Sequence, residues 1–258
     1  MSQNFEKFKN LHHSDALLVL PNVWNAKSAL QFQELKFPAV ATSSMAVANS
    51  LGYEDGEEMS FNDYLFIIKR ILSSIQIPLS VDIETGYGKT DEEIYENIQR
   101  LTGLGVAGIN IEDSSIIQSG RALKDAATFA KTIEHIKNKL SANGLSLFIN
   151  IRCDTYILNV KDKQQETLKR LRVYETSGAD GIFLPCICAE EDISAAVNHT
   201  KLPLNVMCIP GLPGFDTLNK LGVKRVSMGP FLFNQLYGNI GGYASSINKE
   251  KSFAAILS

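Results

Sequence analysis

The chain has 258 residues, 45% of them hydrophobic, with a formal net charge of −3. That is enough apolar material for a sizeable core, in one large α/β domain or two small ones. The near-neutral charge, without any run of Lys and Arg, argues against a nucleic-acid partner, and the longest apolar runs, such as 16–20, fall far short of a membrane span. The first seven residues show no apolar signal core, and four cysteines in a chain this long do not make a disulfide framework. The expectation is a soluble cytoplasmic protein.

Apolar, β-rich runs alternate with longer helical patterns. A first strand is predicted over 17–21 and a helix over 25–34. The second strand, 39–43, ends in Thr42-Ser43-Ser44, and a strongly amphipathic helix covers 61–74. The third strand, 79–83, runs into Glu84-Thr85-Gly86-Tyr87-Gly88. Thr90, with Glu93 three residues on, forms a capping box that opens a helix to about 104. Strand four is 107–112, followed by a helix over 126–140. Strand five is 145–152, followed by a helix over 162–177. Strand six, 180–184, precedes a helix over 190–199. Strand seven is 204–208, a short helix lies near 216–221, and strand eight is 224–228. The last helix begins near Pro230. Eight strands alternating with helices predict a (β/α)₈ TIM-type barrel, and the length is close to that fold's typical ~250 residues. No linker or boundary divides 1–258, which reads as a single barrel domain with a short N-terminal helix. A doubly wound sheet would put a phosphate-binding glycine turn after its first strand. Leu20-Pro21-Asn22-Val23-Trp24 stands there instead.

Catalytic side chains of such barrels sit at the C-terminal ends of the strands. Side chains alternate along a strand, so Asp82 and Glu84 share one face, and Val81 and Ile83 the other. Strand four ends Ile109-Asn110-Ile111-Glu112-Asp113 and strand five ends Ile149-Asn150-Ile151-Arg152. With the isoleucines facing the helices, Asn110, Glu112, Asn150 and Arg152 point into the barrel mouth. Three carboxylates against one guanidinium leave negative charge that is costly to bury. An oxygen-liking cation, Mg²⁺ or Mn²⁺, would balance it, keeping waters and leaving positions for substrate oxygens. Arg152 suits a substrate carboxylate, and Ser43 and Ser44 could cradle a second anionic group. A single strand-end acid reads as readily as a helix cap or the partner of a local base, and Asp113 is left to that role. His12, His13, His135 and His199 all read as surface-helix residues, so Ser-His-Asp and zinc–histidine chemistry are not expected. Cys153, Cys186, Cys188 and Cys208 fall at or just beyond strand ends and read as buried thiols, with Cys186 the one exception worth testing.

The assembled pattern resembles the isocitrate lyase/phosphoenolpyruvate mutase superfamily over nearly the whole chain. Asp82-Ile83-Glu84-Thr85-Gly86-Tyr87-Gly88 matches its D-x-[DE]-[TN]-G-[YF]-G signature. Ile111-Glu112-Asp113 and Ile151-Arg152-Cys153-Asp154 match further segments. Thr42 to Ala46, through Leu51-Gly52-Tyr53-Glu54-Asp55, is similar to its carboxylate-binding loop and following acid. The segment 202–206 resembles its seventh strand. The resemblance implies a Mg²⁺-dependent barrel that makes or breaks C–C or P–C bonds beside a carbonyl of a small α-keto or 2-hydroxy acid, through an enolate-like intermediate. It implies that Asp82, Glu84 and Glu112 hold the metal, mostly through water. Arg152, with Ser43, Ser44 and Asn205, would bind substrate. Asp55, Arg152 and Glu112 would serve the chemistry. It also implies a homodimer or homotetramer with the last helix swapped between barrels. One departure stands out. The loop after Asp113, Ser114-Ser115-Ile116-Ile117-Gln118-Ser119-Gly120-Arg121, is short and has no Cys, Lys or His, so it lacks the lyases' Lys-Lys-Cys-Gly-His motif and the mutase's Lys and Asn. Arg121 would replace part of the lost positive charge. The competing reading is a barrel that kept the metal and carboxylate pocket but lost catalysis.

Overall fold

The computed structural model describes residues 3–117 and 120–257. Pro21 divides the first strand into β1 (Leu18–Leu20) and β2 (Asn22–Val23), because proline has no N–H to give to a ladder. The chain continues through β3 (Val40–Thr42), β4 (Leu79–Asp82), β5 (Gly108–Glu112), β6 (Ser114–Ile117), β7 (Gly120–Leu123), β8 (Phe148–Arg152), β9 (Gly181–Leu184), β10 (Leu204–Met207) and β11 (Arg225–Ser227). Nine parallel segments form one sheet in the order β1-β11-β10-β9-β8-β5-β4-β3-β2. Its two ends, β1 and β2, are consecutive in the chain, so the sheet closes on itself. The broken strand counts as one stave, and the eight-stave barrel expected from the alternating pattern is what forms. β6 and β7 stand apart as an antiparallel hairpin.

The helices are α1 (Gln3–His12), α2 (Ala26–Glu34), α3 (Ser44–Ser50), α4 (Phe61–Leu72), α5 (Asp91–Gly103), α6 (Ala126–Ala142), α7 (Lys163–Glu175), α8 (Glu190–His199), α9 (Phe215–Lys220), α10 (Phe231–Glu250) and α11 (Ala254–Leu257). The spacing of Phe61, Tyr64, Leu65, Ile68 and Ile71 on α4 puts one apolar face against the strands. The capping box at Thr90 and Glu93 is present in both directions. α3 was not anticipated. Ser43 starts it by accepting the Ala46 N–H on its own hydroxyl. No helix is long and apolar enough to cross a membrane among the described residues.

Register turns the repeated Ile-Asn-Ile pattern into geometry. Ile109 pairs with Ile149 and Ile111 with Ile151, while Asn110 pairs with Asn150 and Glu112 with Arg152. All four isoleucines are buried. Within the barrel, Asn150 donates to Asn110 Oδ1 at 2.9 Å. A Cβ at position 181 would meet Asn150 Oδ1 at 2.8 Å, so Gly181 makes room for that amide.

α1 packs Phe8 and His12 onto Phe148, at the start of β8. Here His12 departs from the surface role predicted for it. It lies one helical turn from Phe8, stacks on Phe148 with 4.2 Å between ring centroids, and is 2% exposed. Its Nδ1 donates to the Phe8 carbonyl at 2.8 Å. Burial, helped by the neighbouring Arg225 charge, lowers its pKa to about 3, so the ring is neutral.

Candidate active site

Asp82 is the last residue of β4, and its backbone is pinned from both sides. Its N–H donates to Thr42 Oγ1 (3.0 Å) and its carbonyl accepts from the Tyr64 hydroxyl (2.8 Å). Ser44 Oγ, in the first turn of α3, reaches Asp82 Oδ2 at 3.2 Å and Asp55 Oδ1 at 3.4 Å. These three residues therefore meet, although they come from three separate segments.

Glu84 does not continue the strand as predicted. The strand ends at Asp82, and Glu84 takes the left-handed conformation with φ 50°. The ladder survives this turn, because the Glu84 carbonyl still accepts the Glu112 N–H at 2.9 Å. The Glu84 carboxyl is 2% exposed and accepts from the Tyr87 hydroxyl at 3.1 Å. Burial first, then the charges of Asp55 and Asp82, push its pKa up to about 8. Burial also raises Asp82, against the pull of Arg152.

Glu112 sits in a cage of positive charge. Arg152 Nη1 lies 2.8 Å from its Oε2, and Arg121, from the hairpin, pairs with its Oε1. Arg152 is held on its other edge by Asp154, with Nε 2.6 Å from Oδ1. Arg121 also donates to Ser114 Oγ. The hairpin arginine thus supplies the positive charge that the sequence suggested it would. Asp113 takes the structural role expected of it. It pairs with Arg170 at 3.1 Å and accepts from the Tyr174 hydroxyl at 2.7 Å and the Asp154 N–H at 2.8 Å.

A cavity of about 220 Å³ opens at this end of the barrel. Ser43, Ser44, Asp55, Asp82, Asn110 and Arg152 line one side of it. Asn205 does not reach the wall. It is 1% exposed, and its Oδ1 accepts from Ser227 Oγ, which does line the cavity, at 3.5 Å. Glu84 and Glu112 lie outside the lining as well, and so do Tyr87 and all four cysteines. Burial raises the thiol pKa of Cys153, Cys186 and Cys208, which makes them poorer nucleophiles.

Two residues of this region were not singled out from sequence. Asn22 Oδ1 accepts from the Met228 and Gly229 N–H groups at 2.8 and 2.9 Å, and its Nδ2 donates to the Thr42 carbonyl at 2.8 Å. Its one signal was an amide directly after a strand-breaking proline. Glu57 Oε1 accepts from Thr85 N, Thr85 Oγ1 and Tyr87 N at 2.9, 2.6 and 2.9 Å. It clamps the Asp55 loop onto the Gly86 turn. Nothing in the local sequence marks it, because all its partners lie about thirty residues away.

The donor set can be tested against a divalent cation. Both Glu112 oxygens make ion-pair contacts but no hydrogen bond, whereas Asp82 Oδ1 and Glu84 Oε2 are buried without any hydrogen-bond partner, and burial, with the Asp55 charge adding to it, raises both the Asp82 and the Glu84 carboxyl. Such oxygens lack a positive charge. Among the described residues, no three His, Cys, Asp or Glu side chains gather closely enough to form a chelating set. The unpartnered carboxylate oxygens themselves suit Mg²⁺, an oxygen-binding cation that can keep several waters. Asp82 is the cavity-facing candidate, with Asp55 and Glu84 beside it. Glu112 is committed to two arginines, so any contact from it to a cation would run through water.

A closed βα barrel with carboxylates and an arginine clamp around a cavity at its strand ends has the layout of a TIM-barrel enzyme. The family model described as phosphoenolpyruvate phosphomutase matches residues 8–248, and the chain belongs to this family, within the isocitrate lyase/phosphoenolpyruvate mutase superfamily of lyases and mutases. It is 35% identical over 222 residues to an uncharacterized protein of Mycobacterium tuberculosis, covering 86% of this chain and 81% of that one. It is 31% identical over 201 residues to a 2-methylisocitrate lyase of Shewanella oneidensis, covering 77% and 68% respectively. A crystal structure from Burkholderia cenocepacia, a phosphonomutase by name only, superposes with a TM-score of 0.88 at 32% identity, over 94% of this chain and 99% of that one. Other relatives are named oxaloacetate decarboxylase. None of these matches favours the reading as a barrel that has lost catalysis.

Proposed function

We propose that the protein is a Mg²⁺-dependent lyase or hydrolase that cleaves a C–C bond next to a carbonyl in a small 2-oxo or 2-hydroxy carboxylic acid. The supporting observation is the pair of orphaned carboxylate oxygens on Asp82 and Glu84, set beside an arginine whose other edges are already fixed by Glu112 and Asp154. Mn²⁺ has the same ligand preferences and would substitute.

Each residue then has a task. Arg152, held rigid by two carboxylates, presents its remaining N–H groups to a substrate carboxylate. Ser44 and Met45 line the cavity from the first turn of α3, where backbone N–H groups have no intrahelical acceptor and can donate to an oxyanion that develops as the bond breaks. Asp55 is the cavity carboxyl next to Asp82. Its task in this proposal is to take the proton of a substrate hydroxyl or return one to the enolate carbon, directly or through water. The cation, when bound, supplies the positive charge that stabilises the enolate. No His, Cys, Lys or Tyr is among the lining residues, so proton transfer rests on Asp55 and water. The segment 114–123 carries no cysteine, so this proposal makes no use of the cysteine-based route of the lyases. A homodimer or homotetramer is part of this proposal, with α10 as the exchanged element.

The test is turnover of oxaloacetate, methylisocitrate, dimethylmalate and phosphonopyruvate with Mg²⁺, comparing wild type with Asp82→Ala. Turnover of one acid is expected, abolished by EDTA and reduced at least a thousandfold in the variant. Turnover indifferent to EDTA and to Asp82→Ala would overturn the metal assignment. Absence of turnover, with Mg²⁺-dependent binding of one acid, would restore the binding-protein reading.

A further inference from the structure

The cavity wall is divided by chemistry. Its polar side comes from the first five staves, with Ser44, Asp55, Asp82 and Arg152. Its other side is apolar: Ile157, in the loop after the fifth stave, is joined by Phe183, Pro185, Met207, Pro230 and Phe231 from the later staves. Ser227 is the one polar side chain that interrupts this apolar side.

Charge is scarce as well. Arg152 is the one cationic side chain among the lining residues, and much of its hydrogen-bonding capacity is taken by Glu112 and Asp154. Arg121 is already paired with Glu112. The site can therefore neutralise one substrate carboxylate at Arg152 and one further oxyanion at the metal side. A third carboxylate, or the second charge of a phosphonate, would face Phe183 and Met207, where it would lose its water and gain no partner. An alkyl group there would leave water for an apolar wall, which is favourable.

We propose that the substrate is a mono- or dicarboxylic 2-oxo or 2-hydroxy acid bearing an alkyl substituent, with its carboxyl-carbonyl head at Arg152 and Asp82 and its alkyl group against the Ile157–Phe183–Met207–Phe231 wall. This rests on the carboxylate-and-metal reading of the same site and adds the tail that it selects. It sets the protein apart from phosphonate- and tricarboxylate-using relatives by the apolar half of its cavity, which is independent of the metal residues.

The experiment is isothermal titration of the full chain in Mg²⁺ with pyruvate, 2-oxobutanoate, 3-methyl-2-oxobutanoate, phosphonopyruvate and isocitrate. Affinity is expected to rise at least about tenfold from pyruvate to 3-methyl-2-oxobutanoate, with phosphonopyruvate and isocitrate binding more weakly than the branched acid. Ile157 and Phe231 are 40% and 41% exposed, so Ile157→Ser and Phe231→Ser leave the core intact, which thermal melting checks. Each should shrink the branched-acid gain to within about threefold. Equal affinity along the alkyl series, or tightest binding of phosphonopyruvate or isocitrate, overturns the alkyl selection and leaves the carboxylate site standing. If no acid binds, the carboxylate-and-metal reading fails and this inference falls with it. A tenfold gain that survives both variants unchanged also overturns it.

Discussion

Lowering the pH from 9 to 7 should weaken Mg²⁺ binding about tenfold, through Glu84. Its carboxyl is 2% exposed, and burial, with Asp55 and Asp82 adding to it, holds its pKa at about 8 in the metal-free protein. A raised acid keeps its proton until the pH passes that value, and only the ionised form attracts a cation. At pH 7 roughly a tenth of the molecules have Glu84 ionised, and at pH 9 about nine-tenths. That ratio costs about 1.3 kcal/mol of binding free energy. The same shift acts on folding. The folded state binds more protons than the unfolded between 4.5 and about 8, so metal-free stability should fall as pH rises through that window, and Mg²⁺ should restore it. The assay is calorimetric titration of Mg²⁺ in buffers of different ionisation enthalpy, which yields both affinity and protons released. About 0.9 proton per cation is expected from this group at pH 7 and about 0.1 at pH 9. Glu84→Gln keeps the shape without the titration and should flatten the profile. An affinity independent of pH over this range, or an equally steep slope in Glu84→Gln, would refute the reasoning.

Arg121→Met should destabilise the protein on the order of 3 kcal/mol, because it leaves a buried carboxylate short of charge; chemical denaturation measures this, and Arg121→Met with Glu112→Gln should recover part of the loss. Acidification from pH 7 to 5 should cost about 2 kcal/mol through His12, whose folded pKa of about 3 lies below the ordinary 6.5. The unfolded chain takes up the proton first, so stability drops as pH falls, and His12→Phe should remove that share of the pH dependence. Leu236, Tyr237, Ile240 and Tyr243 on α10 are each 47–56% exposed, an apolar surface that a second copy would cover. Light scattering should report an oligomer for the wild type and a monomer for Ile240→Glu combined with Tyr243→Glu; the same mass for both would exclude α10 from the interface.

The barrel was legible because its signals are local and periodic. Ile109, Ile111, Ile149 and Ile151 alternate with polar residues, and alternation alone places Asn110, Glu112 and Arg152 on the inner side. Asp82 could be read because two carboxylates next to Gly86 and Gly88 are unusual in an apolar run. What the sequence left hidden depends on distant partners. Glu57 is one more acid in a polar turn until Thr85 and Tyr87 arrive from another stave. The sequence suggested that Arg121 supplies positive charge here, but not that it and Arg152 together would engage both Glu112 oxygens. Glu84 was misplaced for a different reason: a period-two pattern assumes the strand continues, and its left-handed backbone shows only in three dimensions. His12 was misread because helix periodicity predicts a face but not what that face covers.

The break at Pro21 makes the cylinder unequal around its circumference. Every seam carries a backbone ladder, β1 against β11 and β2 against β3 on either side of the break, and the Asn22 side chain adds a clasp across the broken stave that ties Met228, Gly229 and Thr42 together. A side-chain clasp is softer than a ladder, and this one borders the cavity beside Ser43 and Phe231. The protein therefore carries a side-chain joint next to the place where a ligand must enter. An occupant would act as a wedge that either braces or parts that joint, so hydrogen exchange at Met228 and Gly229 should report cavity occupancy before any other part of the ring responds.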